Sequence, residues 1–405
     1  MQPDFSQAFL ATDDGKEAER ILNACVHCGF CTATCPTYQL DANELDSPRG
    51  RIYLIKEMLE DKPVTDVTQT HLDRCLSCQS CETTCPSGVE YHKLLNIGRK
   101  RLDDLGLRPT HQKVIRWLIG TFMPKRSLFG FMLGVGQFFR PVLPTILKNV
   151  VPVKIDAGQL PANKHGNKVV LMQGCVQPAM NPNINAATVR VLDKLNVETI
   201  FAAGESCCGA LNYHLDQQQQ GLNLARKNID LWCEHLDNGA QALVINASGC
   251  GNFVNEYADL LKHDDSYAAK ASRVVAHTKD IGEYLASLNV KPLADAEGVK
   301  VAFHSPCTLR HGLKQHEVVE RLLTNWGFDL TAVQDPHLCC GSAGTYSLLQ
   351  PERATKLRTK KLAALNIGAP ELIATANIGC QSHLQSGSEL PVRHWVEILD
   401  TLLTK

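Results

Sequence analysis

Residues 25–36 read Cys25-Val-His-Cys28-Gly-Phe-Cys31-Thr-Ala-Thr-Cys35-Pro36, and residues 75–86 read Cys75-Leu-Ser-Cys78-Gln-Ser-Cys81-Glu-Thr-Thr-Cys85-Pro86. Both are C-x2-C-x2-C-x3-C-P. Three thiolates two residues apart can wrap one corner of an iron–sulfur cubane. The proline after the fourth turns the chain away. A structural zinc site needs four ligands, usually from two C-x2-C knuckles. It has no use for a third cysteine at the same step and a trailing Cys-Pro, twice. Disulfides suit secreted chains, and the start of this one, with Asp4, Asp13, Asp14 and Glu17, lacks a basic n-region and an apolar h-region. No signal peptide is expected, and the cysteines read as metal ligands.

The doubled run resembles that of two-cluster bacterial ferredoxins. The resemblance implies crossed ligand sets, with the fourth cysteine of each run reaching the other cluster. Cys25, Cys28, Cys31 and Cys85 then hold one [4Fe–4S] centre, and Cys75, Cys78, Cys81 and Cys35 the other. The crossing makes one domain of two motifs. Forty positions separate Cys35 from Cys75, which implies helices inserted between the loops. Ser47-Pro48-Arg49-Gly50-Arg51 reads as a helix start, with Ser at the cap and Pro at the first position. Ile52, Ile55 and Leu59 follow at helical spacing. Arg49 and Arg51 either sit near a cluster and raise its potential or are solvated helix-end arginines.

The chain has 405 residues, seventeen cysteines and a net charge of −1. That length suggests two to four domains. The charge gives no general pull toward nucleic acid, and none is expected as a partner. The expected class is α+β multidomain. Residues 1–105 form a helical two-cluster domain, 106–166 a basic apolar linker, and 167–297 and 298–405 two repeated α/β domains.

Between Asp104 and Asp156 there is no acidic residue. Arg108, Lys113, Arg116, Lys125, Arg126, Arg140, Lys148 and Lys154 alternate with Trp117, Phe122, Phe129, Phe131, Phe138 and Phe139. Such a stretch can lie on an anionic membrane face or in a partner's groove. It can equally pack its apolar residues on the flanking domains. The uncharged stretch Ser127–Phe139 is too short to span a bilayer, which takes about 20 residues.

From residue 167 the chain repeats. Strand-like Lys168–Met172 leads to Cys175, and Glu198–Ala202 to Cys207-Cys208-Gly209. Ala242–Ile245 leads to Cys250. In the second copy Val299–Phe303 leads to Cys307. Cys339-Cys340-Gly341 follows, and Leu372–Thr375 leads to Cys380. Helices are expected at Ile184–Leu195, Gln217–Leu236, Glu317–Trp326 and Glu352–Leu365. The step from single Cys to Cys-Cys is 32 in both copies. Alternating strands and helices build a parallel sheet whose ligands gather at strand carboxyl ends. Cys175, Cys207, Cys208 and Cys250, and Cys307, Cys339, Cys340 and Cys380, are thus candidate ligands of additional iron–sulfur or metal centres. A thiol/disulfide active site built on the vicinal pair is the alternative. Cys233, on a predicted helix without a counterpart, reads as buried and structural.

A single Cys, then Cys-Cys-Gly, then Cys-x-x-Cys is the signature of the cysteine-rich CCG domain of heterodisulfide reductase subunits and of iron–sulfur subunits of flavin-linked dehydrogenases. Here the last cysteine is Phe253 in copy one and His383 in copy two. That departure implies a simpler centre in at least one copy, with His383 a substitute ligand or an ordinary surface histidine. Together with Ala24–Tyr38, Asp46–Lys56 and His71–Cys75, the arrangement resembles the glycolate oxidase iron–sulfur subunit family.

The resemblance implies a cytoplasmic oxidoreductase subunit, peripheral on the inner face of the membrane. It would relay single electrons from FAD on a flavoprotein partner toward a quinone or membrane acceptor. The partner would oxidise glycolate, or D-lactate. Gly134-Val-Gly136 lacks the third glycine and the preceding strand of a dinucleotide fingerprint. No catalytic triad stands out, so no catalytic residue is expected in this chain. The alternatives are a heterodisulfide-reductase-like catalytic subunit, an iron–sulfur subunit of a lactate or glycerol-3-phosphate dehydrogenase, and a non-enzymatic iron–sulfur sensor.

Overall fold

The computed structural model describes residues 1–144, 151–288, 292 and 294–403. Lys148 of the basic stretch lies outside the described residues. Contacts divide the chain into two compact units, one of Met1–Trp117 with His337–Lys361 and one of Leu118–Pro336 with Leu362–Lys405. Residues 337–361, which in sequence lie inside the second repeat, belong to the first unit.

The first unit is helical. Its longer helices are Asp13–Ala24, Pro48–Leu59, Asp66–Asp73, Tyr91–Asp104 and Pro351–Asn366, the last running past the unit's edge. Ile21, Leu22, Ile55, Leu72, Leu94 and Leu95 form its core. The helix Pro48–Leu59 starts as its sequence dictates. The Ser47 hydroxyl accepts from the Gly50 N–H at 2.9 Å, and Pro48 takes the first position, where no N–H is needed. Gly50 is required there because a Cβ would lie 2.1 Å from the Glu44 carbonyl oxygen. The start therefore packs flat on the turn Glu44–Asp46.

The second unit holds both repeats. Strands β1 (Asn167–Met172), β2 (Val197–Ile200), β3 (Ala242–Ile245) and β4 (Thr278–Asp280) form an all-parallel sheet of order β2-β1-β3-β4. Strands β5 (Lys300–His304), β6 (Asp329–Leu330), β7 (Leu372–Thr375) and β8 (Val392–His394) repeat it as β6-β5-β7-β8. Central strands are apolar on both faces, as Ala242–Ile245 shows, because helices cover both sides. Val169, Leu171, Val301, Trp326 and Trp395 share one core, so the repeats are packed on each other. The α+β multidomain expectation is met, with helices first and two parallel sheets after.

Each sheet changes winding direction between its two central strands, and ligands gather at such a switch point. Cys175 follows β1 and Cys250 follows β3. Cys307 follows β5 and Cys380 follows β7. No helix among the described residues is long and apolar enough to cross a membrane.

Candidate metal centres

The two N-terminal cysteine loops share one backbone conformation. His27 and Gly29 have φ of 55° and 84°, and Ser77 and Gln79, at the matching places, have 52° and 60°. Left-handed residues are uncommon outside glycine. Their recurrence on both sides of Cys28 and Cys78 turns each loop around a central space. The short helices Phe30–Ala33 and Ser80–Thr84 carry Cys31 and Cys81. Cys35 and Cys85 are extended residues directly before prolines.

These turns gather the thiols in two sets. One cavity is lined by Cys25, Cys28, Cys31 and Cys85, and another by Cys35, Cys75, Cys78 and Cys81. Cys81 also borders the first. Among the described residues no three of these eight thiols lie within 4.8 Å of one another. That spread is too wide for one tetrahedral ion with bonds of about 2.3 Å. Soft thiolate donors spread around such a space fit a multi-iron cluster. Burial pushes the Cys31 thiol up to about 11 and the Cys81 thiol well above its ordinary range. A bound cation reverses that tendency, because a coordinating thiol is deprotonated.

Several polar groups beside the second cavity escaped sequence analysis. The Thr37 hydroxyl lies 3.2 Å from Cys35 Sγ and donates to the Asp46 carbonyl at 2.9 Å. The Tyr91 hydroxyl donates toward Cys75 Sγ at 3.7 Å. Asp46 is fully buried, with His71 Nδ1 at 2.8 Å. Thr37, Asp46 and His71 all sit in or beside the motif stretches, but only tertiary packing reveals their direction. Arg51 lines this cavity and is buried. Arg49 lines the other, half exposed and paired with Glu44 at 2.7 Å.

In the first repeat four thiols form a hydrogen-bonded row in the order Cys175, Cys207, Cys208, Cys250. Cys207 accepts from both neighbouring thiols and from the N–H groups of Gly209, at 3.4 Å, and Leu211. Those donors hold Cys207 well below the usual thiol range, while its neighbours Cys175 and Cys208 are pushed up. Phe253, where the full motif has cysteine, is buried against Tyr213, His214 and Tyr257. Cys233 is buried in the same core, on the helix Gln218–Asp237.

In the second repeat Cys307 and Cys380 belong to the second unit, Cys339 and Cys340 to the first. His304, the last residue of β5, is buried and places a ring nitrogen within 4.8 Å of Cys380 Sγ. Met172 holds the matching position in copy one, three residues before its cysteine. That contrast was the available signal. His383 lies on the helix Ile378–Gln385.

Comparison with known proteins agrees with this geometry. A 4Fe-4S dicluster domain family matches residues 21–89, and a cysteine-rich domain family matches 169–255 and 301–385. The glycolate oxidase iron-sulfur subunit of Escherichia coli is 48% identical over 406 residues, covering all of both chains. The chain belongs to the glycolate oxidase iron–sulfur subunit family. A probable glycolate oxidase iron-sulfur subunit of Bacillus subtilis is 32% identical, covering 90% of this chain and 88% of its own. Lactate utilization protein A of Bacillus velezensis is 26% identical over 58% of this chain and 99% of its own. The family makes the chain an iron–sulfur subunit of an oxidoreductase, and iron–sulfur clusters its cofactors.

Proposed function

We propose that this chain is the electron-transfer subunit of a flavin-dependent 2-hydroxy-acid dehydrogenase that converts glycolate to glyoxylate. Cys25, Cys28, Cys31 and Cys85 would hold one [4Fe–4S] cluster, and Cys75, Cys78, Cys81 and Cys35 the other. Loaded, such clusters take up and release electrons singly, which is what a two-electron flavin on a partner subunit requires of its acceptor. The chain's own part is to bind them, shield them and space them between the flavoprotein and a quinone-type acceptor. The observation that carries this reading is the pair of cavities, in each of which three thiols of one run meet the fourth of the other, with Cys81 bordering both. The four-thiol row at Cys175, Cys207, Cys208 and Cys250 would hold a further metal centre.

The acceptor side would be the helix Arg126–Phe139. Phe131, Met132, Val135, Phe138 and Phe139 are all exposed, at spacings that put them on one face. We read this face as resting on an anionic membrane, which makes the protein peripheral on the cytoplasmic leaflet. Its positive band is narrower than composition implies. Arg108 and Arg116 are paired with Asp73 at 2.6 and 2.9 Å, and Arg126 with Glu205 at 3.0 Å.

The test is isolation of the complex with its natural partners without oxygen, followed by addition of glycolate. Reduction of clusters on this chain, seen by paramagnetic resonance, is expected. Reduction by D-lactate but not glycolate would move the assignment to a lactate dehydrogenase. No reduction by either would defeat the reading. An iron and sulfide count equal to two cubanes would remove the further centre.

A further inference from the structure

The two cluster cavities differ in the charge built around them. Arg51 lines the cavity of Cys35, Cys75, Cys78 and Cys81, with its side chain 1% exposed. Its Nε donates to the His71 carbonyl at 2.7 Å, its Nη1 to the Thr37 hydroxyl at 3.1 Å and its Nη2 to Asp46 Oδ1 at 3.3 Å. Thr37 in turn touches Cys35 Sγ at 3.2 Å. Alone, Asp46 would cancel Arg51. It does not act alone, because Arg74 and Arg353 also reach Asp46, at 3.4 and 3.0 Å. Arg353 further meets Asp41 at 2.5 Å. Glu82 also lines the cavity, beside His92 at 2.9 Å, and Arg99 donates to the Cys75 carbonyl at 3.0 Å, so four guanidinium groups face three carboxylates and the remainder is positive. Arg51, the guanidinium that lines the cavity, is buried, where neither water nor salt screens it well. The arginine at the other cavity, Arg49, stands half in solvent and is matched by Glu44 at 2.7 Å.

Adding an electron to a thiolate-bound cluster adds negative charge, so a fixed cation beside it raises its reduction potential. A hydroxyl that donates to a ligand sulfur acts in the same sense, and the Tyr91 hydroxyl donates toward Cys75 Sγ of this set at 3.7 Å. Water at the exposed Cys28 also eases reduction at the first site, so the order of the two potentials is itself the quantity at issue. We propose that Arg51 makes the Cys35/Cys75/Cys78/Cys81 site the higher-potential member of the pair, so that electrons entering the chain come to rest there. The inference rests on the two-cluster reading above.

The experiment is a mediated redox titration of the full chain, purified without oxygen and followed by paramagnetic resonance. Cys78→Ser marks which signal belongs to the second site. In the unaltered protein that signal should titrate at the higher potential. Arg51→Gln should lower its midpoint and leave the first unmoved, and Arg51→Lys should restore most of the loss. Arg353→Gln removes an outlying cation without entering the cavity. It should shift the same signal in the same direction by less, and it serves if Arg51→Gln does not fold. The inference is overturned if the second site titrates below the first in the unaltered protein. It is also overturned if neither Arg51→Gln nor Arg353→Gln lowers its midpoint. Failure to find two cubanes at all would instead defeat the two-cluster reading.

Discussion

The Tyr257 hydroxyl donates to the Cys208 carbonyl oxygen across 2.5 Å, holding the Cys-Cys-Gly turn of the first repeat from a helix 49 residues downstream. Tyr257 is fully buried, stacked on Trp232 at 6.3 Å and set edge-on to Phe253 at 5.8 Å. From the other side Gly209, at φ 95°, presses so close to Gly221 that a Cβ would lie 2.3 Å from its carbonyl oxygen. The turn is thus clamped between an aromatic donor and a helix backbone.

Tyr257→Phe keeps the packing and orphans one buried carbonyl. It should cost about 1–3 kcal/mol, read as a lower thermal midpoint, with the fold retained. Gly209→Ala meets both backbone strain and a clash, so it should lose the metal content of the first repeat and melt well below Tyr257→Phe.

Crossed ligation makes a prediction about phenotype pairs. Cys35→Ser should remove the same paramagnetic signal as Cys78→Ser, and Cys85→Ser the same signal as Cys28→Ser. Uncrossed sets would pair Cys35 with Cys28 instead. Iron analysis should report about one cubane lost in each single variant.

What the sequence made legible was whatever is encoded locally. The cysteine steps dictate loops, and Ser47-Pro48 dictates a helix start whose cap the structure confirms. The apolar runs at 168–172 and 242–245 are strands within a residue of their expected ends. Strands Thr278–Asp280 and Val392–His394 escaped because three residues carry no period and both lie at sheet edges. Arg49 and Arg51 looked alike in sequence. They differ because helix geometry turns Arg51 into the protein, toward partners at 37, 46 and 71 that no local pattern brings together.

Two buried groups set opposed pH dependences. Burial pushes the Asp280 carboxyl up to about 7, although it accepts from the Gly282 N–H at 2.8 Å. Its folded pKa lies above its unfolded value, so its contribution to stability falls as pH rises between those two values. The fall is worth roughly 4 kcal/mol in all. Burial lowers the His394 imidazole to about 4. An unfolded chain would protonate it first, so stability is lost as pH drops from about 6.5 toward about 4. The two slopes nearly cancel where they overlap. Asp280→Asn keeps a capping oxygen and removes the acid. It should raise the melting temperature above pH 7, change little near pH 4, and leave a midpoint that climbs with pH in between.

The exposed face of the helix Arg126–Phe139 should decide whether the chain holds to lipid. Phe138 is 78% exposed and Phe131 70%, so replacing them with serine removes apolar contact with solvent and little packing. Thermal stability should therefore stay within about 1 kcal/mol of the unaltered chain. Burying a phenylalanine in the interface is worth on the order of 2 kcal/mol, so Phe131→Ser with Phe138→Ser should weaken binding to anionic vesicles by at least about tenfold. Lys125→Gln, at the start of that helix, should cost far less. Its contribution is about 1 kcal/mol and should vanish at high salt, whereas the phenylalanine effect should persist. Co-sedimentation of the full chain with phosphatidylserine vesicles at two salt concentrations separates the two contributions. If the unaltered chain stays in the supernatant at both, the apolar stripe faces a protein rather than a membrane.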